Sequence, residues 1–357
     1  MSRRCPRCKT VYQGEARFCP KDGSPLVDVG GSGGRPVVAP PSGGGQTIAR
    51  KVVPRGGGTV DPAGSLSRQV LDHRYKVERL LGEGGMSYVY EATDMHSGKS
   101  LAIKVLSPKL SKDATSVERL RREAGLAIRL DHPNICRILR LGETEDGLIY
   151  LVMPYLKGEL LSDRETRTGP MTAELGVEYL AQICSGLHFA HRQNIIHRDL
   201  KPENIMMVPG TDGSETPVIM DFGLAKQNRA DPSVAKLTAT GIILGTPEFM
   251  SPEQIRGHQI DARSDVYSLG IVGYEMFTAR LPFEGRSPQE MMIARLRGKA
   301  TPLRKYRSDF QPRLEAALMK SMESDPRDRY ATAFDFGQSL VDALGGEAAQ
   351  RLSKFLR

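Results

Sequence analysis

The stretch His197-Arg198-Asp199-Leu200-Lys201-Pro202-Glu203-Asn204, followed seventeen residues after its asparagine by Asp221-Phe222-Gly223, decides how this chain is read. Within twenty-five residues it gathers a proton-accepting carboxylate in Asp199, a cation in Lys201, and two oxygen-bearing side chains, Asn204 and Asp221, of the kind a hard divalent metal prefers. A transferred group that carries charge on several oxygens needs positioning, metal clamping and charge neutralisation rather than a covalent intermediate. The inventory therefore points to phosphoryl transfer.

HRDLKPEN followed by DFG resembles the catalytic and metal-binding loops of the eukaryotic-type protein kinase family, in its bacterial serine/threonine form. The resemblance covers roughly Tyr75 to Leu344 and implies an α+β, two-lobed protein kinase fold: a small, mainly β lobe (71–153) with one key helix and a large, mainly α lobe (157–344). It implies ATP and Mg2+ (or Mn2+) as cofactors and protein Ser/Thr hydroxyls as acceptors. Asp199 is expected to accept or orient the hydroxyl proton, Lys201 to meet the γ-phosphate, and Asn204 and Asp221 to hold the metal. The Lys201-Pro202-Glu203 form of the loop and Thr246 in Gly245-Thr246-Pro247 both agree with serine/threonine specificity.

Alternation over Tyr75–Leu81 predicts a strand, and Gly82-Glu83-Gly84-Gly85-Met86-Ser87-Tyr88-Val89 turns it into a second one. A glycine-rich hairpin alone reads as a tight turn; in the family it covers the ATP phosphates, with Ser87 where a third glycine usually stands. The context that favours the second reading is Lys104, on an apolar strand after Ala102-Ile103, where a cation needs an anionic partner. Helical spacing at Val117, Leu120, Ala124, Ala127 and Ile128 puts Glu123 on or beside an inward face, and by resemblance it pairs with Lys104. Met153-Pro154-Tyr155-Leu156 aligns with the linker between lobes. Adenine is expected to bond backbone groups of Pro154 and Leu156, Met153 to gate the pocket behind it, and Val89, Ala102 and Met206 to sandwich it.

A long helix is predicted over Ala173–Arg192, and the Gly/Asp/Ser/Thr-rich stretch from Pro209 to Pro217 reads as an enlarged turn. Thr238 and Thr240 are expected autophosphorylation sites, since a phosphate there would neutralise Arg198 beside Asp199. Asp265 resembles the helix-start aspartate that holds the catalytic loop, and Arg329 the arginine that pairs with Glu253 of Ser251-Pro252-Glu253. His188, His191 and His258 show no partner spacing.

Residues 1–74 hold twelve Lys/Arg against five Asp/Glu, so most of the formal charge of +8 sits in the leader and the kinase-like part is almost neutral. The leader's basic residues are dispersed and lack the basic-plus-aromatic density of nucleic-acid-binding modules, which disfavours that reading. Cys5-Pro6-Arg7-Cys8 and Cys19-Pro20-Lys21-Asp22 resemble a zinc ribbon (1–27), with Asp22 where a fourth cysteine usually stands. The fourth ligand is Asp22, a water or nothing, and the alternative is a reduced, unliganded cluster. A disordered Gly/Pro-rich linker (28–70) follows, and residues 345–357 read as a C-terminal tail. Five cysteines without a disulfide framework, no signal-peptide core and no apolar run of membrane-spanning length favour a cytoplasmic protein without membrane contact. The expected partners are Ser/Thr protein substrates, an unknown partner of the ribbon and a transient homodimer. A pseudokinase scaffold is the rival reading, disfavoured by the intact Lys104, Asp199, Asn204 and Asp221.

Overall fold

The computed structural model describes residues 2–4, 11–13, 27–28, 66–84, 87–107, 111, 114–222, 247–285 and 287–356. The chain divides into two units, Met1–Ile48 and Ala49–Arg357. In the first, strand β1 (Ser2–Arg4) lies between β2 (Val11–Gln13) and β3 (Val27–Asp28) and is antiparallel to both. Cys5, Cys8, Cys19 and Asp22 lie outside the described residues.

Leu66, which falls within the expected linker, is buried in the small-lobe core of the second unit. Its large sheet runs β4 (Val70–Leu71), β5 (Tyr75–Glu83), β6 (Ser87–Asp94), β7 (Ser100–Leu106), then β9 (Ile149–Pro154) and β8 (Arg140–Glu143) in space, with every neighbour antiparallel. The alternation in β5 puts Tyr75 and Val77 inside and Lys76 outside, as a half-buried strand requires. Strand β7, paired on both edges, is buried from Leu101 to Leu106. Helix α1 (Ala114–Ala127) lays Leu120, Ala124 and Ala127 against Leu106, Ile149, Ile138 and Leu151 of the sheet side.

The large lobe is built on α3 (Ala173–Arg192), preceded by β10 (Glu159–Leu160) and α2 (Leu161–Thr168). Thr172 caps α3 by accepting from the backbone N–H of Leu175. Strands β11 (Ile205–Pro209) and β12 (Glu215–Ile219) pair antiparallel beside β10. Of the stretch expected as one enlarged turn, residues 210–214 do turn, while Pro209 and the residues from Glu215 to Pro217 belong to the strands of a hairpin; Gly/Ser/Thr composition hid the pairing of Pro209 with Glu215 and of Met207 with Pro217. After α4 (Pro252–Arg256), α5 (Ala262–Thr278) is buried along nearly its whole length. It packs on α3 where Gly176 leaves room for the Phe277 ring; a Cβ there would stand 2.2 Å from it. Helices α6 (Pro288–Leu296), α7 (Pro312–Ser321) and α8 (Ala333–Leu344) complete the lobe. Residues 346–356, read from sequence as a tail, fold as α9 (Gly346–Leu352) and a 3-10 turn. Leu352 and Leu356 are buried in the main core, so their apolar spacing belonged to packing rather than to a free end. No helix among the described residues is long and apolar enough to cross a membrane.

The base of this lobe is locked by one buried ion pair. Arg329 donates from both terminal nitrogens to Glu253, at 2.7 and 2.8 Å, and Ser264 Oγ adds a third donor at 2.6 Å. Arg329 also donates to the carbonyls of Glu323, Arg263 and Ser324 and lies 4.7 Å above the Tyr267 ring. Burial works to raise the Glu253 carboxyl, and the Arg329 and Ser264 donors outweigh it and hold it below its usual range. Arg329→Met is expected to destabilise the domain by about 3–5 kcal/mol, because it strands Glu253 without its cation. Urea unfolding measures this; the double variant Glu253→Gln/Arg329→Met should recover part of the loss.

Candidate phosphoryl-transfer site

Sheet order places the expected nucleotide-facing residues side by side. Gly82 pairs with Val89, Val89 with Lys104, and Ala102 with Met153, so hairpin, lysine strand and inter-lobe linker are consecutive neighbours. Glu83 ends β5, and the amide of Gly84 closes the turn by donating to Ser87 O at 2.8 Å. Gly85 and Met86 lie outside the described residues. Ala102 is buried, whereas Met153, Pro154, Leu156 and Met206 are partly exposed, as walls of an opening should be. Below the linker Gly158 presses on β11; a Cβ there would lie 2.1 Å from Met207 O, so this approach admits no side chain.

The loop from His197 to Asn204 is held from beneath by Asp265, in the first turn of α5 and 1 % exposed. Its Oδ2 accepts from the backbone N–H of His197 and its Oδ1 from that of Arg198, each at 2.8 Å. Arg198 has φ +69°, a left-handed conformation that costs a non-glycine residue about 1–2 kcal/mol. Two hydrogen bonds offset that cost, the one to Asp265 and one donated by Gln254 Nε2 to Arg198 O at 2.7 Å. His197 is buried, bonds Met220 O through Nε2 at 2.7 Å and packs edge-on against Phe222. Asn204 Nδ2 donates to Asp199 O at 2.7 Å, and Met220 N to Asn204 O at 2.8 Å. Lys201 Nζ stands 3.9 Å from Asp199 Oδ2. The loop from His197 to Asn204 and the segment leading into Asp221 are therefore stitched together.

His191 was missed by sequence spacing. It lies on the last turn of α3, and its Nε2 is 2.7 Å from Asp265 Oδ2. The signal available was helical register: Cys184 and Leu187, seven and four residues earlier, mark the buried face that His191 shares. Burial would raise the Asp265 carboxyl, but His191, His197 and the His197 amide prevail and hold it low.

Lys104 is buried and its ion pair is with Asp221, 2.7 Å from Nζ to Oδ1. Burial opposes ionisation of Asp221, and the charge and hydrogen bond of Lys104 overcome it, leaving the carboxyl below its ordinary value. Glu123 approaches Arg198, Oε1 to Nη1 at 3.7 Å. Where the sequence expects Lys104 and Glu123 to face each other, each has another partner, because residue spacing fixes the facing of a helix but not its distance from the strand. The Arg198 Nε is buried and, among the described residues, has no hydrogen-bond partner. Thr238, Thr240 and Thr246 lie outside the described residues. Met153, Cys136, Phe222 and Asp221 line a small apolar cavity behind the opening; burial, with Asp221 adding to it, pushes the Cys136 thiol up to about 12 and keeps it protonated.

Behind the loop, burial pushes Glu165 of α2 up to about 9, with repulsion from Glu275 and Glu203 adding to the shift. Burial raises Glu275 of α5 to about 7, helped by Glu203 and Glu248. One oxygen each of Glu165, Glu275 and Glu248 is buried without a hydrogen-bond partner among the described residues.

A β lobe and a helical lobe with a lysine strand, a backbone-pinned HRD loop and a DFG aspartate brought together define a protein kinase. Residues 75–338 match the protein kinase domain family, and the chain belongs to it. It is 38% identical over 274 residues to the serine/threonine-protein kinase pkn3 of Myxococcus xanthus, covering 76% of this chain and 50% of that protein. It is 39% identical over 280 residues to the serine/threonine-protein kinase PknB of Mycobacterium tuberculosis, covering 78% of this chain and 44% of that one. The chain thus spans about half the length of these curated relatives. Among solved structures, the M. tuberculosis PknI kinase domain shares the fold, with a TM-score of 0.62 and 24% identity over 79% of this chain and 100% of that chain.

Glu165 gives this domain a signed pH response. Its carboxyl lies at about 9 in the fold against an ordinary 4.5, so the folded state holds the extra proton between those values. Its contribution to stability is full below about 4.5 and is lost as pH rises towards 9. Thermal melts at pH 6, 7.5 and 9 should show the parent losing stability faster than Glu165→Gln; parallel curves would contradict the assignment.

Proposed function

We propose that the domain is an ATP-dependent serine/threonine protein kinase. The observation that carries this reading is the convergence just described: Asp199 beside Lys201, Asn204 tied to Asp199, and Asp221 against the strand lysine. Asp199 takes the acceptor hydroxyl proton on a carboxylate oxygen as the hydroxyl oxygen attacks the γ-phosphorus, and the bond from the γ-phosphorus to the bridging oxygen breaks, leaving that oxygen on the β-phosphate of ADP. Lys201 offsets charge on the γ-phosphate. Lys104 moves from Asp221 to the α- and β-phosphates, with Glu123 as its support. Gly82 to Ser87 cover the phosphates, while Val89, Ala102 and Met206 enclose the adenine and the Pro154 and Leu156 backbone receives its edge.

Asn204 and Asp221 suit Mg2+ (or Mn2+): the Asn204 amide nitrogen is spent on Asp199 O, which leaves its oxygen for a metal, and Asp221 stays ionised. The ion would neutralise charge on the phosphate oxygens. Phosphorylation of Thr238 or Thr240 would supply an anion for Arg198, whose Nε is unpartnered among the described residues. The amino-terminal segment is proposed to bind one structural Zn2+ through Cys5, Cys8, Cys19 and Asp22. In sequence Cys5 and Cys8 stand between the paired strands β1 and β2, with the spacing of a thiolate ligand pair. We assign the protein to a reducing cytoplasm, where such thiols persist, and the ribbon to recruitment of a partner.

Purified protein incubated with ATP and Mg2+, beside an Asp199→Asn control, should gain phosphate at Thr238 or Thr240 only in the parent, read by intact mass and phosphosite mapping. Equal labelling in both would remove Asp199 from the chemistry. Chelation should collapse the amide signals of residues 1–27 and leave the kinase domain's melting transition in place; signals indifferent to chelator would exclude the zinc.

A further inference from the structure

Arg295, on the last turn of α6, is the largest fully buried side chain among the described residues, 1% exposed, and the reaction proposed above makes no use of it. An arginine keeps its charge in a protein, and burying that charge is unfavourable unless opposing groups face it. Burial works against the Arg295 cation, and Tyr267 and Glu248 support it. The Tyr267 ring stacks on Phe283 at 6.2 Å and carries the Arg329 guanidinium 4.7 Å from its centroid, while its buried hydroxyl has no hydrogen-bond partner among the described residues. Glu248 belongs to the 3-10 turn Pro247–Phe249, on which α6 packs, and one of its oxygens is buried without a hydrogen-bond partner among the described residues. The backbone behind Arg295 is anchored too. Its carbonyl accepts from Gly298 N at 2.9 Å and Ser324 Oγ at 3.3 Å, and that of Leu296 accepts from Arg256 of α4 at 3.4 Å.

The Pro247–Phe249 turn is held at one end from α5, where Ser268 Oγ donates to Phe249 O at 2.7 Å. At Glu248 it meets repulsion instead. Glu248 and Glu203 both push on Glu275, and Glu275 and Glu203 push on Glu165, so four carboxylates crowd the underside of the catalytic loop. Arg295 is the cation that faces this crowd from the α6 side. Without it Glu248 would swing away or take up a proton, and the turn would move with it. The turn's place matters for the acceptor. Gln254, further along the same stretch, donates to Arg198 O at 2.7 Å, so the chain after residue 246 runs beside the loop that presents Asp199. A segment bringing its hydroxyl to Asp199 must lie along that chain.

We propose that Arg295 is a positioning residue for the acceptor: facing Glu248 from α6, it fixes the Pro247–Phe249 turn as the ledge on which the acceptor segment lies beside Asp199. This rests on the kinase reading. The ledge is on the acceptor side of the site, so nucleotide binding does not depend on it.

The test uses the full chain as parent, Arg295→Met, Arg295→Lys, Glu248→Gln and the double variant Arg295→Met/Glu248→Gln. Rates of autophosphorylation are measured against ATP concentration with Mg2+, and amide hydrogen exchange is followed by mass spectrometry over residues 247–256. In Arg295→Met the maximal rate should fall by about ten- to a hundred-fold, with half-saturating ATP within about two-fold of the parent. Exchange in the turn should quicken, and Arg295→Lys, which keeps the charge, should recover most of both. The double variant should lose no more than the worse single one, because the two residues act as a pair. If Arg295→Met does not fold, Arg295→Gln replaces it with the same expected losses. Unchanged rate and protection in Arg295→Met, a loss in Arg295→Lys as large as in Arg295→Met, or single losses that multiply in the double variant overturns the proposal. A parent that transfers no phosphate overturns the kinase reading instead, and the exchange arm still decides whether Arg295 holds the turn.

Discussion

The carboxylate of Asp265 is the point from which the rest of the site hangs. It is buried, it is held ionised, and it spends its two oxygens on the backbone amides of His197 and Arg198 and on the His191 ring. A buried anion is tolerable only when such donors surround it. In return it fixes a stretch of chain that local preferences would not hold, since Arg198 is left-handed without being glycine. From that turn Asp199 is presented, Asn204 is tied back to Asp199 O, and Met220 to Asn204 O, so the order of the loop passes to the strand preceding Asp221. The long buried helix α5 is therefore a foundation for chemistry as well as for the core.

The same rule about buried charge explains why the remaining ions sit where they do. Glu253 and Arg329 meet in bidentate geometry with every donor of the guanidinium used, which makes a fixed structural joint far from solvent. Lys104 and Asp221 also pair, but across two elements and at the edge of the opening, with Asp221 still partly exposed. Lys104 is buried while Asp221 keeps an exposed face, so the pair stabilises both charges and leaves the carboxylate open to a ligand. Glu165 and Glu275 show the opposite solution: burial, with repulsion from neighbouring carboxylates, raises their carboxyls.

Much of this was legible before any coordinates. The helix at Ala173–Arg192 begins and ends where Thr172 caps it and Gln193 leaves it, and period-two alternation placed β5. Composition misled where pairing, not propensity, made the structure: the hairpin of β11 and β12 was hidden in turn-forming residues, and the last eleven described residues looked like a loose end until Leu352 and Leu356 found the core. His191 escaped notice because its partner lies seventy-four residues away on another helix.

The sequence by itself determined the chemistry carried, because side-chain identity at close spacing is a local property: Asp199, Lys201 and Asn204 on one short loop, Asp221 shortly after, glycines before a lysine strand. It also determined which helical faces are apolar. Only the tertiary structure decided which charge meets which. Lys104 stands with Asp221 and Glu123 near Arg198, and Asp265 gathers three donors from two distant segments. Such pairings turn on a few ångströms between packed elements, and distance of that kind is set by the whole fold rather than by any stretch of it.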